Sequence, residues 1–166
     1  VNVGVTATAD GLARQQELVL ASLLSDLRTD DVDWLLHGCC TGGDEQLALR
    51  ARRLGYLLHG LPGRGLLDPA RSLILNDRLD PVPSTKTPEL TRNRHIVAAV
   101  GVLLAGPSGF TEERRSGTWA TIRYAKAARL PLIIVYPDGT KNTEFAGTFA
   151  PGSIRNLAAH GRPRVS

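Results

Sequence analysis

"VGVLLAGPSGFTEERRSGTWATIRYAKAARLPLIIVYPDG", residues 100–139, sets two apolar runs of strand length on either side of a helical pattern. The runs 100–106 and 131–137 are rich in Val, Leu and Ile and are bounded by Gly, Pro and Asp, as buried strands are. Between them Trp119, Ile122 and Ala125 recur every three residues. That spacing predicts a helix over 117–129 with this face turned to the core. Strand, helix and strand in this order make a parallel βαβ unit with a right-handed crossover.

The same alternation extends toward the N-terminus. "VNVGVTAT" (1–8) alternates Val1, Val3 and Val5 and predicts an opening strand. A helix over 11–28 follows, with Leu12, Val19, Leu20, Leu23, Leu24 and Leu27 on one face. "DWLLHG" (33–38) and "YLLHGLP" (56–62) are further strands. They flank a helix over 43–55, with Leu47, Ala51 and Leu54 inward and Gly55 as its stop. A helix over 88–99 leads into the strand at 100. Residues 63–88 are rich in Pro, Gly and Asp, and only "SLILN" (72–76) reads as an ordered apolar segment. Their length predicts a functional or mobile loop. The expected fold is α/β and Rossmann-like: a doubly wound, mainly parallel sheet of about five or more strands with helices on both faces. One domain is expected over 1–139, with 140–166 as a partly irregular C-terminal extension.

Composition excludes several classes. The 166 residues are 42% hydrophobic and 22% charged, as in an ordinary globular chain, and no apolar run reaches the length of a membrane span. Cys39 and Cys40 are the two cysteines and are adjacent, so they are neither a disulfide framework nor a structural zinc set. A reducing cytoplasm is therefore expected, and nothing reads as a metal or cofactor site. The net charge of +4 and pI near 9.5 invite a nucleic-acid reading. Yet Arg155, Arg162 and Arg164 of the last twelve residues supply three of those four charges, with no acid among them. The body is nearly neutral, which argues against nucleic acid as the partner.

Glycines and small polar residues follow the strands, at the edge of an open α/β sheet where ligands bind. In "RRSGTWATIRYA" (114–125) the first N–H groups of a helix lack partners and face an electropositive helix end. Gly117 permits close approach, Ser116 and Thr118 add hydroxyls, and Arg115 a charge. The pattern suits a phosphate and equally suits a plain Ser N-cap with surface arginines. "HGCCTGGDE" (37–45) is a second strand-to-helix turn, without the spacing of a P-loop or a dinucleotide fingerprint. Asp44 there either favours the helix dipole or accepts from a ligand hydroxyl. Cys40, at a helix start, is placed for a lowered thiol pKa but has no base partner in the sequence. His37 reads as a satisfied strand-end histidine. "TRNRHIV" (91–97) puts Arg92 and Arg94 early in a helix, against its dipole, as solvated charges or as partners of a carboxylate or phosphate.

These segments, in order from "GVTATADGL" through "HGCCTGGDE", "RNRHIV", "LLAGP" and "RSGTWATIRYA" to "PLIIVYPDG", resemble the SLOG superfamily of Rossmann-like, nucleotide-related proteins. That group includes the LOG phosphoribohydrolases, and the likeness is greatest to small bacterial members. It implies a domain that binds a nucleotide or nucleotide derivative, often as a homodimer. By position it implies ligand contacts at Thr6, Gly38, Gly42, Gly43, Asp44, Arg94, Pro107, Ser116, Gly117 and Thr118, to which the charge of Arg115 is added. The chain also departs from the family. Thr121 stands where LOG enzymes carry a glutamate, Ala7, Thr8 and Ala9 stand where short relatives have Gly-Thr-Arg, and Cys39 and Gly101 replace aspartates. These losses weaken hydrolysis more than binding, because backbone N–H groups alone can hold phosphate. Binding without turnover is the leading expectation. The alternative is cleavage of the N-glycosidic bond of a nucleoside monophosphate, with Asp44, Glu112 or Glu113 as candidate acid or base.

Overall fold

The computed structural model describes residues 2–29 and 33–145. Val1 and the basic tail with Arg155, Arg162 and Arg164 lie outside the described residues. The chain runs β1 (Asn2–Ala7), α1 (Arg14–Leu27), β2 (Trp34–His37), α2 (Gly43–Arg53), β3 (Leu57–Gly60), β4 (Arg78–Leu79), α3 (Pro88–Ala99), β5 (Val102–Gly106), α4 (Gly117–Ala127), β6 (Leu132–Val135) and β7 (Lys141–Glu144). The seven strands lie in the order β4-β3-β2-β1-β5-β6-β7, all parallel except β7, which pairs antiparallel with β6. This is the expected Rossmann-like α/β architecture.

Alternation along each strand divides the core in two. Val102 and Leu104 of β5 join Val3, Val5, Leu35, Ile133 and Val135 under the leucines of α1 and α2. Leu103 and Ala105 join Leu36, Leu132 and Ile134 under Ile96, Trp119, Ile122 and Ala125 of α3 and α4. Leu20, Leu24, Leu35, Leu58, Leu103 and Leu104 are fully buried, and each such side chain contributes roughly 1.5–3 kcal/mol. The triplet spacing of Trp119, Ile122 and Ala125 thus marked the face that packs.

Helix ends follow local chemistry. Pro88 opens α3, where a missing N–H costs nothing. α2 stops at Arg53, and Gly55 takes φ +91° just beyond it. α1 starts at Arg14 rather than 11, with the Gln16 side-chain oxygen accepting from the Ala13 N–H at 3.2 Å. The buried Gln16 amide also donates to the carbonyls of Pro107 and Val135, both at 2.7 Å. It ties α1 to the ends of β5 and β6.

Residues 63–88 are held down by hydrogen bonds. The Ser72 N–H donates to the Cys39 carbonyl, and Asp77 exchanges two bonds with the Leu58 backbone. The short β4 then adds an edge to β3. Within 72–76 only Ile74 packs on the core, while Leu73 and Leu75 are exposed. Past residue 139, β7 extends the sheet. Among the described residues no helix is long and apolar enough to cross a membrane.

Candidate functional site

The topology places one special position at the carboxyl edge. From β1 the chain steps outward through β2, β3 and β4, then returns to the other side of β1 with β5. Strand order reverses there, the turns after β1 and β5 diverge, and a crevice opens. A cleft of about 310 Å³ occupies it. Its centre is the end of β1 and the turn after it, Thr6 to Asp10. One flank is Ser108, Glu113 and the start of α4; the other is Cys40, Asp44, Arg64 and the first turns of α3.

At the α4 flank, Ser116 is an N-cap whose hydroxyl accepts from the Trp119 N–H at 3.3 Å. It also lines the cleft, so cap and ligand contact are compatible. The N–H groups of Gly117 and Thr118 have no hydrogen-bond partner among the described residues. A Cβ on Gly117 would meet nothing within 4 Å. The hydroxyls of Thr118 and Thr6 line the same space, on residues 7% and 8% exposed, without a hydrogen bond among the described residues. Asn93, 7% exposed, uses its carbonyl oxygen on Arg92 and leaves its amide N–H groups unbonded there. These polar atoms are open to the cleft, on which they converge.

The central floor is built by Asp44 and Arg92. Asp44 accepts from the Ala7 N–H at 2.9 Å and the Gly38 N–H at 3.2 Å, which joins the turns after β1 and β2. Burial pushes its carboxyl up to about 6, against the opposing pull of Arg92 and of the two N–H groups. Arg92 donates to the carbonyls of Gly38 and Leu61 and to Asn93. It clamps the turns after β2 and β3. Arg92, Asn93, Ile96 and Val97 form one stripe of α3, so helical spacing from Ile96 was a signal that Arg92 faces inward.

Of the ligand contacts and candidate acids named from sequence, Thr6, Asp44, Glu113, Ser116, Gly117 and Thr118 line the cleft. The others do not. Gly38 has its N–H on Asp44 and its carbonyl on Arg92, and a Cβ there would stand 2.5 Å from the Arg92 guanidinium. Gly42 and Gly43 serve packing, since a Cβ would lie 2.2 Å from the Ala9 carbonyl oxygen or 2.4 Å from the Ala7 Cβ. Arg94 is exposed and stacks on Tyr124 at 4.8 Å. Pro107 gives its carbonyl to Gln16, Glu112 pairs with Arg123 at 2.9 Å, and Arg115 points to solvent. Thr121 bonds back to the Gly117 carbonyl at 2.9 Å. Burial pushes the Cys40 thiol up rather than down, and the Cys39 thiol to about 12, so the helix start does not activate either. Among the described residues no group of His, Cys, Asp and Glu is arranged to hold a metal ion.

His37 is satisfied, as its position suggested. Its Nδ1 accepts from the Cys39 N–H, which makes Nε2 the donor to Asn76 at 2.6 Å. Burial lowers its pKa from 6.5 to about 4. As pH falls below 6.5 the unfolded chain takes up this proton first, so His37 makes stability rise with pH between about 4 and 6.5. Asp44 acts oppositely: the folded state holds its proton longer, so stability falls as pH rises from 3.8 to about 6. Urea unfolding at several pH values should show Asp44→Asn gaining stability with pH more steeply than wild type and His37→Gln less steeply. Each difference should reach about 3 kcal/mol. Three parallel profiles would refute both assignments.

A scan against protein-family models and a search of curated proteins find no match. Solved structures do match. DNA processing protein A from Streptococcus pneumoniae aligns at TM-score 0.58 and 17% identity, over 80% of this chain and 49% of that one. The molybdenum cofactor binding protein from Rippkaea orientalis aligns at TM-score 0.59 and 21% identity, over 81% of this chain and 76% of its own. DNA processing protein A from Helicobacter pylori, described for its single-stranded DNA binding mode, aligns at 0.56 and 17%, over 81% and 64%. The chain spans about half to two thirds of the two DNA processing proteins. At these identities the likeness shows the fold, shared by binders of quite different ligands.

Proposed function

We propose that this chain is a SLOG-type domain that binds a nucleotide or nucleotide-derived small molecule, in the cytoplasm and as a homodimer, with a phosphate at the start of α4. One observation carries the reading: the Gly117 and Thr118 N–H groups and the Thr118 and Thr6 hydroxyls, none with a hydrogen-bond partner among the described residues, all lie at the topological switch point. An anion there receives several hydrogen bonds and the favourable end of the helix dipole. The remaining walls suit a small ligand better than a nucleic-acid strand. Asp10, Asp44, Glu89 and Glu113 face the cleft against Arg64 and Arg92, a balance that repels a run of backbone phosphates.

Binding without turnover is supported by the candidate acids themselves. Both oxygens of Asp44 are engaged by backbone N–H groups, Glu112 is paired away from the cleft, and no carboxylate stands at Thr121. Of the three candidate acids, only Glu113 is left at the cleft for a glycosidic cleavage. Incubation with AMP, GMP or CMP should therefore release little free base by chromatography. Release on the order of 1 per second or faster would establish the hydrolase instead. A nucleoside monophosphate should raise the melting temperature and its parent nucleoside should do so much less. A single-stranded oligonucleotide that binds more tightly than any monophosphate, with a steep salt dependence, would overturn the small-molecule reading.

A further inference from the structure

The flank of the cleft opposite α4 carries a donor and an acceptor side by side. Glu89, in the first turn of α3, lines the cleft half-buried, and its carboxylate makes no hydrogen bond among the described residues. The turn after β3 runs against it: a Cβ on Gly63 would stand 2.8 Å from the Glu89 Cα. The next residue, Arg64, also lines the cleft. Its Nη1 is bound to Asp68 at 3.0 Å, while Nε and Nη2 make no hydrogen bond among the described residues. Glu89 shares the α3 stripe of Arg92 and Asn93, and the unbonded Asn93 amide lies in the same wall.

Separation fits a phosphate at one end and a ring at the other. The α4 start follows β5 and the Arg64 turn follows β3, with β1 and β2 between them. Three strand steps are roughly 14 Å, about the reach of a nucleoside monophosphate from phosphate to the far edge of its base. An ionised carboxylate is acceptor-only and best met by two parallel N–H groups, and a guanidinium is donor-only. An adenine or cytosine edge offers one amino donor beside a ring-nitrogen lone pair, which a carboxylate repels. A ring that presents an amino group, an N–H and a carbonyl in sequence satisfies both side chains.

We propose that Glu89 and Arg64 read such a 2-amino-4-oxo pyrimidine edge, making the preferred ligand a phosphate-bearing guanine or pterin compound. This rests on the phosphate site proposed above. The two sources share the edge and differ in what joins it to the phosphate.

Calorimetric titration of the whole chain with GMP, IMP, AMP, guanosine and a 2-amino-4-oxopteridine phosphate ester tests it. GMP should bind about ten- to a hundredfold more tightly than IMP, which lacks the amino group, and than AMP. Glu89→Gln should bring GMP and IMP within about threefold of each other while GMP keeps its advantage over guanosine. That side chain makes no hydrogen bond among the described residues, so the variant should fold as wild type, which circular dichroism checks. The tighter of GMP and the pteridine ester identifies the source. Equal binding of GMP and IMP, or tighter binding of AMP, overturns the edge reading and leaves the phosphate site standing. Guanosine matching GMP overturns the phosphate site itself.

Discussion

Replacing Gly117 with Asp is expected to abolish thermal stabilisation by a nucleoside monophosphate. Ligand at 100 times its dissociation constant adds about 2.7 kcal/mol to the folded state. For a domain of this size that is a rise of about 5–11 °C in Tm. The Asp carboxylate would enter the space left open at Gly117 and repel the phosphate where the two free N–H groups await it. The variant should fold normally, because Gly117 is not among the positive-φ glycines and its Cβ would touch nothing within 4 Å. Acid in a first helical turn is also favoured by the dipole. Gly117→Ala adds bulk without charge and should keep part of the shift. A folded Gly117→Asp protein with an undiminished shift would show that this helix start is a cap and nothing more.

Gly42→Ala should have the opposite profile, with stability lost whether or not ligand is present. Gly42 adopts φ +87° and ψ −131°, which side-chain-bearing residues rarely enter, and this costs about 1–3 kcal/mol. The added Cβ would also stand 2.2 Å from the Ala9 carbonyl oxygen, so the turns after β1 and β2 must part, at a further 1–3 kcal/mol or so. A fall in Tm of about 5–20 °C follows. The measurement is a melting curve of the ligand-free protein beside Gly117→Ala, which should melt within a degree or two of wild type. A Gly42→Ala protein that melts with wild type yet no longer binds nucleotide would return Gly42 to the list of ligand contacts. Two glycines in two similar-looking turns thus differ: Gly117 has open space around it, in the proposed phosphate site, and Gly42 is packed against the Ala9 backbone.

The architecture was legible in the sequence because it rests on periodicity. Val102, Leu103, Leu104 and Ala105 feed two cores by alternation, and Trp119, Ile122 and Ala125 share one helical face. Such patterns are local, and burial enforces them wherever the chain goes. The α4 start was legible for a related reason: unpaired N–H groups are a property of any helix terminus, and Ser116, Gly117 and Thr118 are contiguous. The edge strands β4 and β7 were not legible, since short, polar strands at a sheet margin carry no burial pattern. Lys141–Glu144 joins the sheet through backbone pairing with β6.

What only the tertiary structure decided is which polar residues face one another. Local sequence does not reveal that Asp44 is spent on the N–H groups of Ala7 and Gly38, or that Arg94 lies on Tyr124 while Arg92, two residues earlier, clamps the turns after β2 and β3. A helix rotates by about 100° per residue, so neighbouring arginines look alike in sequence and point far apart in space. Arg64 and Glu89 are separated by 25 positions and by a strand, and the return of the chain over the carboxyl edge sets them side by side. Strands and helices follow from the spacing of apolar residues along the chain. The cleft follows from how the turns meet, a property of the folded sheet and of no single segment.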